Sequence, residues 1–101
     1  MLSDAKRDRK PEVATVTVRL PGALVDLFPG SRRSVDLRAS TVDEMMDELD
    51  RLWPGMRDRL CDSTPAIRKH INVFIDGERA SLDTPIEPGT ELFVLTAISG
   101  G

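Results

Sequence analysis

A single amphipathic helix is the sequence feature that most restricts the fold of this chain. Across residues 42–53 the apolar positions recur at helical spacing, and acidic residues fill the positions between them. Thr41 and Glu44 have the spacing of a capping box, Ser40 is an alternative cap, and the Pro-Gly pair at 54–55 ends the pattern. The apolar stripe consists of Val42, Met45, Met46, Leu49, Leu52 and Trp53. Because one helix presents one stripe, other elements must supply the second layer of the core.

Alternation with a period of two predicts strands on both sides of this helix. The predicted strands are residues 14–20, 34–38, 71–75, a short return at 78–80, and a last strand that begins at Leu92. Asp76-Gly77 is a strong signal for a two-residue hairpin turn. Two hairpins around one helix predict an α+β domain of the β-grasp, ubiquitin-like type, with a mixed sheet of about five strands wrapped on the helix.

The remaining segments predict a simple domain organisation. Residues 1–12 are polar and of mixed charge, which indicates a disordered leader; residues 13–98 form the β-grasp domain, and 99–101 a flexible tail. The apolar stretch 23–28 is a helical turn or a loop, whose Leu24, Leu27 and Phe28 cover one end of the core. Residues 56–60 add a helical turn, and 61–69 form a loop.

Charge and composition exclude several functions. A net charge of -3 argues against nucleic acid as a partner, and no apolar run approaches the ~20 residues that span a membrane. The start lacks the apolar region of a secretory signal, so we expect a cytoplasmic protein. One cysteine and one histidine leave no cluster of metal ligands. We interpret Cys61 as a structural thiol, the alternative being a redox role.

The sequence closes with Gly100-Gly101 after the last strand pattern. Glycine is costly to order and packs no side chain, so the pair contributes nothing to a folded core. Without Cβ atoms the backbone can enter a narrow site and approach a phosphate closely. A frayed end is the simpler alternative. The pattern favours a tail whose terminal carboxylate at Gly101 is the reacting group, threaded by Gly100 and Ser99 into another protein.

Three segments carry a resemblance to a known family. They are residues 72–78 (Asn-Val-Phe-Ile-Asp-Gly-Glu), 86–92 (Ile-Glu-Pro-Gly-Thr-Glu-Leu) and 94–101 (Val-Leu-Thr-Ala-Ile-Ser-Gly-Gly). Together with the β-grasp pattern, they resemble the MoaD/ThiS family of bacterial sulfur carriers over about residues 13–101. The long segment 60–70 looks most like the CysO-like, cysteine-biosynthesis branch. The Thr-Ala-Ile-Ser at 96–99 departs from the Pro-Pro-Val that usually precedes the glycines of molybdopterin carriers.

The resemblance implies a substrate-like role, with no catalysis by the chain itself. An E1-like adenylyltransferase would use ATP to adenylate Gly101, and a sulfur donor would displace AMP to leave a thiocarboxylate. A sulfur-accepting synthase would then take the sulfur for a metabolite, cysteine-type being favoured and molybdopterin or thiamine possible alternatives. The carrier would hold no cofactor and no metal of its own.

Strand alternation predicts where such partners bind. If Ile71, Val73 and Ile75 face the helix, then Phe74 points outward, and Phe93 and Leu95 do the same on the last strand. We expect these three residues, together with Ile98, to form a partner-binding patch. The acidic helix face is the alternative docking surface, for a basic partner, although a solvated face is the simpler and favoured explanation. Two other functions stay open, a protein modifier joined to targets through Gly101 and a binding subunit whose tail does not react.

Overall fold

Five strands form one mixed sheet in the computed structural model, which describes residues 15–96. The strands are β1 (Thr15–Arg19), β2 (Ser34–Arg38), β3 (Ile71–Ile75), β4 (Glu78–Arg79) and β5 (Glu91–Thr96). Their order across the sheet is β2-β1-β5-β3-β4. The central neighbours β1 and β5 are parallel, and the other pairs are antiparallel. This sheet with a helix between its two hairpins is a β-grasp, which confirms the predicted α+β class.

Three helices supply the second layer, α1 (Gly22–Val25), α2 (Val42–Leu52) and α3 (Met56–Leu60). The stripe of α2 is fully buried at Val42, Met45, Met46 and Leu49. The prediction is wrong for Leu52, which is 40% exposed, because the helix ends there and Trp53 is its half-buried C-cap. It is also wrong for Leu27, which is 51% exposed, whereas Leu24 is buried and Phe28 packs against the core as expected.

The N-terminus of α2 is held by the irregular segment between β4 and β5. The N–H groups of Val42 and Asp43 donate to the carbonyls of Thr84 and Leu82, each at 3.0 Å. The third N–H, that of Glu44, donates to Thr41 Oγ1 at 3.2 Å. These bonds satisfy donors that a helix leaves unpaired at its start. The segment that looks irregular in the sequence therefore provides two of the acceptors that satisfy the start of the main helix.

The capping box is formed with one difference from the prediction. Thr41 is the N-cap, but the Glu44 carboxylate returns to Ser40, accepting from its N–H at 2.8 Å and from its hydroxyl at 2.7 Å. The backbone hydrogen bond from Ser40 is the main reason that the pKa of Glu44 lies below its ordinary value. Both candidate caps therefore take part: Thr41 accepts from the N–H of Glu44, and Ser40 donates to the Glu44 carboxylate.

Two turns form where glycine chemistry predicts them. Asp76 and Gly77 both have positive φ, at 53° and 82°, which is the conformation of a two-residue hairpin turn. Gly55 has a φ of +99° just after α2. Asp50 Oδ1 accepts from the N–H groups of Gly55 and Arg57 there, so its side chain fixes the start of α3. The hairpin is confirmed, although β4 ends at Arg79, one residue short of the predicted 78–80.

The predicted loop 61–69 is ordered by its own polar groups. Asp62 Oδ1 accepts from the Thr64 hydroxyl and from the N–H groups of Thr64 and Ala66. Those bonds, the Thr64 hydroxyl first, hold the pKa of Asp62 below its usual range. Cys61 also makes an isolated β-bridge to Ile67. Within residues 15–96, no helix has the length and apolar character needed to cross a bilayer.

Candidate functional site

The face of β5 that points away from the helices is apolar where a strand face is normally polar. Leu92 and Val94 are buried in the core, and between them the outward Phe93 is 43% exposed. Leu95, also outward, is 46% exposed. The structure therefore places both residues where the sequence alternation puts them. Two large apolar side chains on one strand face form the centre of the candidate surface.

Phe74 on β3 completes the aromatic part of this surface. It lies directly opposite Phe93 in the antiparallel β3–β5 pair, and Asn72 lies opposite Leu95. Residues opposite each other on neighbouring strands share a face. Phe74 thus lies on the predicted face, but it is half-buried and therefore less exposed than Phe93 and Leu95. Because β3 is an interior strand, Phe74 has a neighbour on each side, Phe93 on β5 and Arg79 on β4.

The other half of the same sheet face is polar. Thr17 on β1 donates from its hydroxyl to Asp36 on β2 at 2.7 Å, and the two residues are opposite each other in the pairing. Arg19 Nε lies 2.5 Å from the Glu91 carboxylate. The apolar surface is consequently limited to β3 and β5. A limited apolar area with a polar border is typical of a protein-binding site.

A shallow groove of about 220 Å³ lies where β1 and β5 end on this face. The residues that line it include Arg19, Arg33, Phe93 and Leu95. The groove adjoins the end of β5, where the last described pair is Thr96 opposite Ile71. The sheet face and the start of the C-terminal segment are thus neighbours in the fold.

The predicted reactive residues lie beyond this point. Ile98, Ser99, Gly100 and Gly101 fall outside the residues that the structure describes, as does the leader at 1–12. Their roles stay predictions. What the structure contributes is the position of Thr96, from which the remaining five residues can reach at most ~17 Å when extended.

The acidic face of α2 has a structural use that the sequence did not indicate. Arg57, on α3, has a side chain only 23% exposed, and its guanidinium contacts Asp43 at 2.7 Å and Asp47 at 2.9 Å. The hydrogen bond that the Arg57 guanidinium donates to the Asp43 carboxylate is the main reason that the pKa of Arg57 is raised. Two of the acidic residues thus hold α3 against α2, which reduces the charge available for docking a basic partner.

Neither Cys61 nor a metal cluster provides a catalytic group in the described part of the chain. Cys61 is buried, and burial raises the pKa of its thiol, with Arg57 opposing that shift to a smaller extent. A protonated, buried thiol is a poor nucleophile, in agreement with the structural interpretation. Between residues 15 and 96, no group of three or more His, Cys, Asp or Glu residues could hold a metal ion.

Comparison with known proteins identifies a family and several similar proteins. Residues 18–101 match the ThiS family. The sulfur carrier protein CysO of Mycobacterium tuberculosis is 27% identical over 92 residues, which cover 85% of this chain and 98% of the relative. A chain in the crystal structure of the BexX/CysO complex of Amycolatopsis orientalis is 29% identical, with a TM-score of 0.76, covering 85% of this chain and 99% of that one.

A protein modifier has a similar level of identity and a similar fold. SAMP1, small archaeal modifier protein 1, from Haloferax volcanii is 28% identical, with a TM-score of 0.72. The match covers 87% of this chain and 100% of that one. The similarities therefore include both a sulfur carrier and a protein modifier.

Proposed function

The chain belongs to the ThiS family, and on that premise we propose that it is a sulfur carrier that works through a thiocarboxylate at Gly101. The observation that carries the proposal is the family match, which runs through residue 101 and therefore includes the Gly-Gly pair. The CysO relatives, which are named as sulfur carriers, support it. The β-grasp fold, with its outward apolar patch, is compatible with a protein that partners recognise.

The first step would activate the carboxylate. One oxygen of the Gly101 carboxylate attacks the α-phosphorus of ATP, and the bond from that phosphorus to the bridging oxygen of pyrophosphate breaks. The products are an acyl adenylate and pyrophosphate. A carboxylate has no good leaving group, whereas the adenylate can expel AMP, so the hard substitution is divided into two easier ones.

The second step would introduce sulfur. A donor at the oxidation level of hydrosulfide attacks the carbonyl carbon of the adenylate, and the carbon–oxygen bond to AMP breaks. The sulfur-bound proton passes to solvent, leaving a thiocarboxylate at Gly101 and free AMP. Since the sulfur enters and stays at the sulfide level, this step needs neither an oxidant nor a reductant.

The partners would supply the catalysis, and the chain would supply the reacting atom and a recognition surface. An E1-like adenylyltransferase would bind ATP, and a sulfur-accepting synthase would later receive the sulfur. In this scheme Phe74, Phe93, Leu95 and Ile98 dock on the partner while Ser99, Gly100 and Gly101 thread into its site. The ~17 Å reach from Thr96 means that the partner's site has to lie close to the docked sheet face. We place the reaction in the cytoplasm, where ATP is available.

We favour a cysteine-type acceptor over molybdopterin or thiamine precursors. The support is the name of the relatives, CysO, and the Thr-Ala-Ile-Ser sequence before the glycines. The acceptor can be assigned by presenting the thiocarboxylate form to a cysteine-synthase-like enzyme, a molybdopterin synthase subunit and a thiazole synthase in parallel. The proposal expects sulfur loss with the first alone.

The similarity to SAMP1 supports a second candidate, a modifier joined through Gly101 to lysines of target proteins. Both candidates share adenylation and differ in the final nucleophile. Intact-mass and peptide analysis of cells that express a tagged chain separates them. Isopeptide adducts at lysine would indicate a modifier, whereas a free chain carrying one sulfur would indicate a carrier.

Adenylation itself is tested by exchange of labelled pyrophosphate into ATP. The full chain is mixed with the purified E1-like enzyme of the same organism, ATP and labelled pyrophosphate. We expect exchange that depends on the chain and disappears when Gly101 is deleted. Exchange of equal rate with the deleted chain would contradict a role for the Gly101 carboxylate.

A further inference from the structure

Four outward residues form a line across four strands of the sheet. Arg79 on β4 is opposite Phe74 on β3, Phe74 is opposite Phe93 on β5, and Phe93 pairs with Arg19 on β1. We call these four residues the Arg-Phe-Phe-Arg row. Neighbouring strands lie ≈ 4.8 Å apart, so the row is roughly 14 Å long. Its centre is aromatic and both of its ends are cationic.

The cationic ends contrast with the charge of the molecule as a whole. The chain has a net charge of -3, yet both ends of the row carry a guanidinium. At one end a second arginine, Arg33, lines the groove together with Arg19, Phe93 and Leu95. Arg19 is paired with Glu91, although both side chains are about half exposed. For Arg79 and Arg33, residues 15–96 provide no ion-pair partner, and both side chains are exposed.

Arginine suits this position better than other charged residues. Its guanidinium is weakly hydrated, stacks on aromatic rings and binds a carboxylate through two parallel hydrogen bonds. An entirely apolar partner surface would remove Arg79 from water without an ion-pair partner and would also desolvate the Arg19–Glu91 pair, which is costly. A partner surface with carboxylates at both sides of an apolar contact would satisfy the whole row.

We infer that the Arg-Phe-Phe-Arg row docks on an acidic protein surface, with partner carboxylates meeting Arg19 and Arg79 on either side of an apolar contact with Phe74 and Phe93. This inference rests on the proposed function, because it takes the E1-like adenylyltransferase as the partner. The supporting argument is charge complementarity between the arginines of the row and carboxylates of the partner. Single-stranded nucleic acid also stacks on aromatic and arginine side chains, but Asp36 and Glu91 on the same face, with the net charge of -3, disfavour it.

The experiment compares the wild type with two charge-reversal variants, one inside the row and one outside it. Arg79→Glu changes one end of the row. Arg38→Glu is the control, since Arg38 is also an exposed arginine on an edge strand and on the same face, opposite Thr15 and outside the row. The affinity of each full chain for the purified E1-like enzyme is measured at about 50 mM and about 300 mM NaCl, where screening differs strongly. Thermal melts check that both variants fold.

We expect Arg79→Glu to weaken binding by roughly tenfold or more at the lower salt concentration, and by much less at the higher one. Arg38→Glu should stay within about twofold of the wild type at both, and Arg79→Gln should fall between Arg79→Glu and the wild type. Equal losses for Arg79→Glu and Arg38→Glu would overturn the inference. So would a wild-type chain that does not bind the enzyme but instead binds a single-stranded oligonucleotide or a second copy of itself.

A parallel measurement of sulfur at Gly101 separates this inference from the proposed function. If the wild type acquires sulfur while Arg79→Glu binds as Arg38→Glu does, the carrier function stands and the acidic partner surface is wrong. If the wild type acquires no sulfur while Arg79→Glu selectively weakens binding, the docking surface stands and the carrier function is wrong.

Discussion

Phe74 and Phe93 lie directly opposite each other on antiparallel strands, on the sheet face that points away from the helices. Phe93 is about half exposed and Phe74 is half-buried. Exposing paired aromatic side chains is unfavourable for an isolated domain, since each brings a large apolar area into water. A partner that covers the pair is the simplest reason for its presence, and this relationship links the fold to recognition.

Phe93→Ala should weaken binding to the E1-like enzyme while changing the melting temperature little. Truncating an aromatic anchor at the centre of an interface commonly costs about 2 kcal/mol or more, or about thirtyfold in affinity. Leu27→Ala is the control, since Leu27 is also a large exposed apolar residue but lies in the β1–β2 connection. Titrations and melts on the same samples provide the measurement. Unchanged affinity for Phe93→Ala would place the partner on another surface, and a large loss of stability would show a core role.

The strand alternation explains why this face could be predicted from the sequence. Leu92 and Val94 are so clearly core residues that Phe93 and Leu95 must point outward. The two-residue turn at 76–77 also fixes Arg79 opposite Phe74. The pairing of Arg19 with Phe93 is different, because it depends on which strands are neighbours across a long connection. No local pattern encodes that parallel pairing, so the complete row could only be seen in the structure.

In α2 too, some features follow from the local sequence and others only from the tertiary arrangement. Its phase and its start follow from periodicity and capping, and both are confirmed at Met45, Leu49 and Thr41. Its ion pairs do not follow, because Arg57 meets Asp43 only after the chain reverses at Gly55 and α3 packs back on α2. Local signals therefore predict elements and faces, whereas contacts between elements depend on the tertiary arrangement.

Leu49→Ala should lower the free energy of unfolding by roughly 2–5 kcal/mol, because Leu49 is fully buried in the core. Leu52→Ala is a matched control, being the same substitution in the same helix at an exposed position, and should cost less than about 1 kcal/mol. Urea titrations measure both. Equal losses would contradict the packing of α2 described above.

Glu44→Gln should destabilise the protein at neutral pH and have a smaller effect in acid. The pKa of Glu44 is lowered in the folded state from an ordinary value of 4.5, so its charge stabilises the fold above that pH. The contribution is lost as pH falls through the lower, folded pKa. Urea midpoints of wild type and variant, taken at about pH 7 and about pH 3, should differ at the first, and the difference should be smaller at the second. A difference that grows in acid would contradict the sign of the shift.

Cys61 should react slowly with an aromatic disulfide reagent in the native protein. The thiol is buried and its pKa is raised by burial, so little reactive thiolate is exposed at about pH 8. We expect labelling roughly a hundredfold slower than in about 6 M guanidinium, where the chain is unfolded. Native labelling within a few-fold of the unfolded rate would contradict the structural interpretation and reopen a redox role.

The most direct test of the carrier function is the intact mass of the chain after incubation with the E1-like enzyme, ATP and sulfide. The wild type should gain about 16 Da, the difference between a sulfur and an oxygen atom, and fragmentation should place the gain at Gly101. A chain without Gly101 and a chain with one added residue should each keep their starting mass and an unchanged melting curve. The account is contradicted if the wild type gains no mass, or if the shortened chain gains as much as the wild type.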